Sequence, residues 1–353
     1  MRIGIVQERM TGEHRVAIVP AQAGALMKAG HELLVETNAG RAAGFDDESY
    51  STAGATIVKD RAKVFTEAEV MVQVRTPPAA RGMSDDDLEQ YRAGQFVIGF
   101  AEPLTAREPI ESLAQRGVSL YAMEMVPRTT RAQTMDALSS QATIAGYRAV
   151  LHAAMHLPKM FPMMMTAAGT LAPARSFVIG AGVAGLQAIA TSRRLGAVVT
   201  GYDIRPAVKE QVESLGARFL VLDLPTESAE GKGGYAKAMD EAFYRKQQEA
   251  MAQAVRTHDV VITTAAIPGR EAPKLISADM VHGMTPGSII VDLAAERGGN
   301  CELTKPDEVV DVNGVKILGP TNLPAEAPNH ASQMYSRNVA SLLEHLAGKE
   351  KSI

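Results

Sequence analysis

Residues 176–205, SFVIGAGVAGLQAIATSRRLGAVVTGYDIR, constrain this chain more than any other stretch. An apolar run, SFVIG, leads into Gly180-Ala181-Gly182-Val183-Ala184-Gly185 and then into a helical pattern, LQAIATSRRLG. A second strand pattern ends at GYD. In a strand–turn–helix–strand unit, the first glycine permits a tight turn and the second lets backbone approach a pyrophosphate. The third lets the helix pack on the strand, and the helix N-terminus faces the phosphates. Asp203 stands 18 residues beyond Gly185. A carboxylate there accepts hydrogen bonds from the adenosine ribose hydroxyls and repels a 2′-phosphate. The stretch therefore points to NAD(H) rather than NADP(H). Arg205 tempers this, because an arginine there can meet a 2′-phosphate or pair with an acid.

The rest of the chain fits an α/β frame. Its 353 residues suggest two domains. Before residue 174, short apolar runs (RIGIV, ELLVE, ATIV, EVMVQV, GQFVIGF, SLYAM) alternate with amphipathic helical patterns such as PAQAGALMKAG and AREPIESLAQRG. That alternation predicts a parallel sheet covered on both faces, here without a glycine fingerprint. A long helical pattern over about 131–156 bridges onward. The methionines at 160, 163, 164 and 165 read as adaptable core filling. Further strands are expected at AVVTGYD, RFLVLD, DVVITTAA, SIIVDLA and VKILG, and a final amphipathic helix at NHASQMYSRNVASLLEHLAG.

Several functions are disfavoured. The net charge is −4 and no basic tract of five or more occurs, so nucleic acid is not an expected partner. The single cysteine, Cys301, fits a reducing compartment. No secretory signal is evident and the uncharged runs are too short to span a bilayer, so a soluble chain is expected. The pair His152 and His156 has helical zinc spacing, but Ala153 stands where a zinc helix carries glutamate. EGKGG fails the phosphate-loop pattern, since Lys232 precedes glycine rather than Ser or Thr. No metal site and no G-x-S-x-G is found. In EMVPRTTRAQTMDALSSQATIAGYRAV, the residues Arg128, Gln133, Asp136 and Ser139 crowd a loop-to-helix transition between the domains. Thr130-x-x-Gln133 matches a capping box, and Asp136 suits the early helix dipole. A ligand-binding role is equally consistent, since clefts favour domain junctions.

These segments, with RVAIVP, FPMMMTAAGT, KEQVESLGARF, GGYAKAMDEAFYRKQ and GGNC, resemble the soluble NAD(H)-binding domain of proton-translocating nicotinamide nucleotide transhydrogenase over nearly the whole chain. The resemblance implies two Rossmann-like parallel-sheet domains with a nucleotide cleft between them. The first would hold residues 1–135 plus 329–353, and the second residues 136–328. It implies NAD(H) on this chain, NADP(H) on a beta subunit, and direct hydride transfer from NADH to NADP⁺ coupled to proton passage through other chains. Expected partners are a second copy of the chain, that beta subunit and a membrane-spanning alpha-2 subunit, at the cytoplasmic face of the membrane. The implied nicotinamide-end residues are Arg128, Gln133, Asp136 and Ser139. The other implied nucleotide contacts are Gly180, Gly182, Val183, Gly185, Asp203, Ile204, Arg205, Gly234, Gln247 and Ala266, with Tyr235 near the tip of a closing loop.

Direct transfer between two nicotinamides needs positioning and exclusion of water, not a general acid or base. The rival is the related alanine dehydrogenase, which must bind pyruvate and move protons. Arg15 fits that enzyme's carboxylate-binding arginine. Its lysine position, however, holds Arg75, its histidine position Glu102 and its aspartate position Glu296. Arginine does not shuttle a proton as lysine can, and the missing histidine removes the natural acid/base group near neutrality. A third alternative is a non-enzymatic NAD(H)-sensing module.

Overall fold

Apolar runs bounded by glycine turns become the central strands of two parallel sheets in the computed structural model, which describes residues 1–79, 86–222 and 241–348. The chain divides into two compact units. One is Met1–Gln141 with Pro324–Ile353, and the other is Ala142–Leu323.

The first unit contains β1 (Arg2–Ile5), β2 (Glu32–Glu36), β3 (Thr56–Val58), β4 (Val70–Arg75), β5 (Phe96–Phe100) and β6 (Ser119–Ala122). They pair in the order β3-β2-β1-β4-β5-β6, all parallel. This is the doubly wound order of a dinucleotide-binding sheet, reached here without the glycine fingerprint. The central strand β4 is a continuous apolar-type run, VMVQVR, buried along almost its whole length, as a strand covered on both faces must be.

The second unit begins with β7 (Met164–Thr166) and β8 (Gly169–Leu171). Its main sheet is built from β9 (Arg175–Ile179), β10 (Val198–Tyr202), β11 (Arg218–Phe219), β12 (Val260–Thr263), β13 (Ile289–Asp292), β14 (Val309–Val312) and β15 (Val315–Leu318). The order is β11-β10-β9-β12-β13-β15-β14, parallel except for the antiparallel edge strand β14. Sequence patterning does not find β14. Its VVDV is an edge strand with alternating exposure, a weaker signal than the fully buried β12 and β13.

Three local expectations change. The methionine cluster is not core. Met163, Met164 and Met165 are 59%, 36% and 74% exposed. β7 and β8 form a separate two-stranded antiparallel hairpin, turned by Gly169 at φ +123°, so its side chains have no sheet face to pack on. The helical pattern over 131–156 splits into a 3-10 turn, Thr130–Met135, and an α-helix, Ala137–His156. Capping falls to Asp136 rather than Thr130. Its Oδ1 accepts from the Ser139 backbone N–H at 2.9 Å, the geometry of an N-cap carboxylate.

The helix Pro328–Ala347 packs within the first unit. Val16 and Val19 donate their backbone N–H groups to Ser332 Oγ (2.9 Å) and Ser336 Oγ (3.0 Å). Tyr335 donates to the Gln73 carbonyl on β4 at 2.8 Å. Nearby, buried Glu8 accepts from the Val74 N–H at 2.6 Å and the Arg75 N–H at 3.2 Å. Burial, reinforced by the charge of Glu13, pushes the Glu8 carboxyl from 4.5 up to about 8. A carboxyl raised in the folded state contributes stability below its unfolded value and loses it as pH climbs through the folded one. Thermal unfolding from pH 5 to 8.5 should therefore show stability falling with pH, and Glu8→Gln should flatten that slope by on the order of 2–4 kcal/mol. A variant with the wild-type slope would contradict the assignment.

Candidate functional site

The glycine turn has the geometry its sequence demands. Gly180 follows β9 at φ +96° and donates its N–H to the Tyr202 carbonyl at 2.8 Å. Gly182 caps the helix Val183–Arg194 with no side-chain hydrogen bond, and a Cβ there would meet open space. The first-turn N–H groups of Val183 and Ala184 thus face outward at the positive end of the helix, ready for an anion. Gly185 packs so closely that a Cβ would lie 1.8 Å from the Gly180 carbonyl oxygen. The helix Ala137–His156 also approaches here: a Cβ on Gly146 would lie 2.1 Å from the Ala184 carbonyl oxygen.

Asp203, just past β10, is almost fully engaged by its own chain. Its Oδ2 accepts from Ala181 N–H (2.7 Å) and Arg205 Nη2 (2.8 Å). Its Oδ1 accepts from Arg205 N–H and Arg205 Nε, both at 2.9 Å. The Arg205 and Asp203 side chains are 12% and 6% exposed. The acid at the end of β10 is therefore fixed to the glycine turn through Ala181. Ile204 lies half-buried between the paired residues.

Gln247, on the helix Glu241–Thr257, is buried and donates Nε2 to the Tyr202 hydroxyl at 2.8 Å. Its Oε1 is buried without a partner. An orphaned acceptor beside Tyr202 is unusual in a protein interior and is suited to a ligand donor. Ala266 is exposed in the loop after β12. Gly234 and Tyr235 lie outside the described residues.

One positioning residue escapes sequence reasoning. Asn300 is fully buried. It clamps the loop after β12 with a reciprocal pair: Ala265 N–H to Oδ1 (3.0 Å) and Nδ2 to the Ala265 carbonyl (2.9 Å). Nδ2 also donates to the Pro273 carbonyl at 2.9 Å. The preceding residue, Thr264, donates to the Gly180 carbonyl at 3.1 Å. Asn300 therefore braces the glycine turn through one intervening loop. The signal lies in GGNC, but nothing local tells which backbone the amide will reach.

In the first unit, Arg128, Asp136 and Ser139 come together. Arg128 Nε lies 3.7 Å from Asp136 Oδ2, and Ser139 Oγ donates to the same oxygen at 2.6 Å. Gln133 lies exposed on the 3-10 turn, with its carbonyl accepting from Asp136 N–H at 3.3 Å. The four residues thus share one short segment, organised around the Asp136 carboxylate.

Other candidates carry structural roles. Cys301 is buried, and burial pushes its thiol up to about 11, so it is not a thiolate nucleophile near neutrality. His152 and His156 stack 6.5 Å apart, and no cluster of potential metal ligands occurs among the described residues. No described helix is long and apolar enough to cross a membrane.

An uncapped helix N-terminus, a carboxylate at the end of the second strand and an orphaned buried acceptor fit a dinucleotide's pyrophosphate, adenosine ribose and polar edges. Comparison with known proteins accords with this donor set. Residues 4–145 match the alanine dehydrogenase/PNT N-terminal domain, and residues 149–353 match the alanine dehydrogenase/PNT C-terminal domain. An NAD(P) transhydrogenase alpha subunit of Rhodospirillum rubrum, the first portion of a divided alpha subunit, is 47% identical over 344 residues, covering 97% of this chain and 89% of its own. The alanine dehydrogenase of Halomonas elongata is 30% identical over 356 residues, covering 99% and 88%. A solved structure of transhydrogenase from Sinorhizobium meliloti superposes with a TM-score of 0.88 at 42% identity, covering 98% of this chain and 93% of that one. With both domains matched and such identity along nearly its full length, this chain belongs to the alanine dehydrogenase/PNT family.

Proposed function

We propose that this chain is the NAD(H)-binding alpha subunit of a proton-translocating transhydrogenase, passing hydride to NADP⁺ held by a partner beta subunit. The observation that carries the reading is the 47% identity to a transhydrogenase subunit over 97% of the chain, joined to a glycine turn and acid suited to NAD(H). When bound, NADH supplies the hydride. The chain's own residues supply position. Val183 and Ala184 N–H groups hold the pyrophosphate at the helix N-terminus. Asp203 reads the adenosine ribose, with Ile204 and Arg205 beside it. Gln247 and the Ala266 backbone line the same site, and Gly234 and Tyr235 belong to a loop that closes over it. Asp136 gathers Arg128 and Ser139, and that segment with Gln133 orients the nicotinamide end. None of these groups has to move a proton at a reacting carbon, which is what direct transfer between two rings requires.

The alanine dehydrogenase alternative is disfavoured by the geometry of Arg15. Its Nε and Nη2 bind Glu13 at 2.7 and 2.5 Å, and its Nη1 binds Gln141 Oε1 at 2.8 Å. All three nitrogens are engaged within the chain rather than displayed to a substrate carboxylate. Arg75 also faces Glu13, at 3.6 Å.

The proposed assembly is a homodimer docked, with a membrane-spanning alpha-2 subunit, at the cytoplasmic face of the membrane. The β7–β8 hairpin supports self-association: it is two-stranded, and Met163, Met165 and Leu171 are exposed on it. Open strand edges and clustered apolar side chains favour a protein partner over water.

Three outcomes test this reading. Gly185→Ala should weaken NADH binding, read by nucleotide fluorescence, by about tenfold or more, because the turn must open to admit the Cβ. Unchanged affinity would remove the glycine turn from the site. With the NADP(H)-binding subunit and an NADP⁺ analogue present, Gln133→Asn should slow hydride transfer by about 10- to 100-fold while NADH affinity stays within about threefold. Transfer at the wild-type rate, or NADH oxidation by pyruvate and ammonium alone, would contradict the proposal. Met163→Lys with Met165→Lys should sediment as a monomer at concentrations where the wild type is a dimer; a persisting dimer would place the interface elsewhere.

A further inference from the structure

Asp203 has no acceptor site to spare. A carboxylate offers about four lone-pair positions, and four donors fill them: Ala181 N–H, Arg205 N–H, Arg205 Nε and Arg205 Nη2. A ribose that presents two hydroxyls to this acid must displace two of them. The two backbone donors are set by the glycine turn and by the strand end, so they cannot leave without unmaking the turn. The two guanidinium bonds belong to one flexible side chain and can leave together.

Resting on the NAD(H) reading above, we propose that Arg205 masks the ribose-reading carboxylate, and that nucleotide binding exchanges its bidentate fork for the 2′,3′-diol of the adenosine ribose. The exchange is two hydrogen bonds for two, so the acid stays satisfied throughout. It also sets specificity. Displaced from Asp203, the guanidinium stands at the position where a 2′-phosphate would lie. There it offsets the repulsion that a bare carboxylate would exert on that group. Arg205 thus works against discrimination twice: it competes with the NAD(H) diol and it tolerates a 2′-phosphate. The chain's preference for NAD(H) is narrower than Asp203 alone would give.

Two variants separate the masking from the charge. Arg205→Ala uncovers Asp203 and removes the cation. NADH should then bind about three- to tenfold tighter and NADPH about three- to tenfold weaker, widening the ratio of their Kd values by at least about tenfold. Arg205→Lys keeps a cation but cannot bridge two oxygens in the forked geometry. It should gain affinity for NADH without the loss for NADPH. Both are read by fluorescence titration of the full chain with NADH and NADPH, with circular dichroism confirming the fold. If Arg205→Ala binds NADH as the wild type does or more weakly, the masking role is overturned. An unchanged NADPH-to-NADH ratio in both variants overturns the specificity role. A wild-type chain that binds neither nucleotide would instead remove the NAD(H) reading itself, and this inference with it.

Discussion

A side chain at residue 185 would sit 1.8 Å from the Gly180 carbonyl oxygen, and the second unit is arranged around that missing atom. Because glycine is there, the helix Val183–Arg194 starts directly against β9 and its N-terminus stays uncapped. Because Gly180 reaches φ +96°, the turn is tight enough for Ala181 to donate to Asp203 on the neighbouring strand end. From the other side, Thr264 bonds the Gly180 carbonyl, and Asn300 holds Thr264's neighbour, Ala265, at both its N–H and its C=O. One steric allowance therefore brings three strand ends to a common point, at the carboxyl edge where open parallel sheets bind ligands.

The first unit repeats the strand order but resolves the same backbone problem differently. Its segment after β1 has no glycine fingerprint, and its exposed donors do not wait for a phosphate. The N–H groups of Val16 and Val19 go to Ser332 and Ser336 of the C-terminal helix, and Tyr335 of that helix bonds β4. Sheet topology alone therefore does not make a nucleotide site; what matters is which backbone donors remain uncommitted.

Much of this is legible in residues close together in sequence. The central strands announce themselves as short apolar runs, and the glycine turn carries its spacing within a dozen residues. What escapes depends on contacts between distant or context-dependent groups. Arg205 reads equally as a partner for a 2′-phosphate or for an acid; only the fold shows that the acid is Asp203, two residues away, across a bend. Thr130 fits a capping box, yet the chain enters its helix one turn later and Asp136 takes the cap. The methionines of β7 look like filler because apolarity says nothing about whether a sheet face is available to receive it. Asn300 and the edge strand β14 leave only faint marks, since an amide's partners and an edge strand's pairing are both decided elsewhere in the chain.

The central claim is that the glycine turn and Asp203 hold NAD(H) while the Asp136 segment serves its nicotinamide end. A crystal structure of the chain with NADH bound tests it most directly. The account predicts the pyrophosphate on the N–H groups of Val183 and Ala184, the adenosine ribose hydroxyls on the Asp203 carboxylate, and the nicotinamide riboside within hydrogen-bonding reach of Gln133 or Arg128. Nucleotide bound away from the Gly180–Gly185 turn, or with its ribose hydroxyls off Asp203, would contradict it.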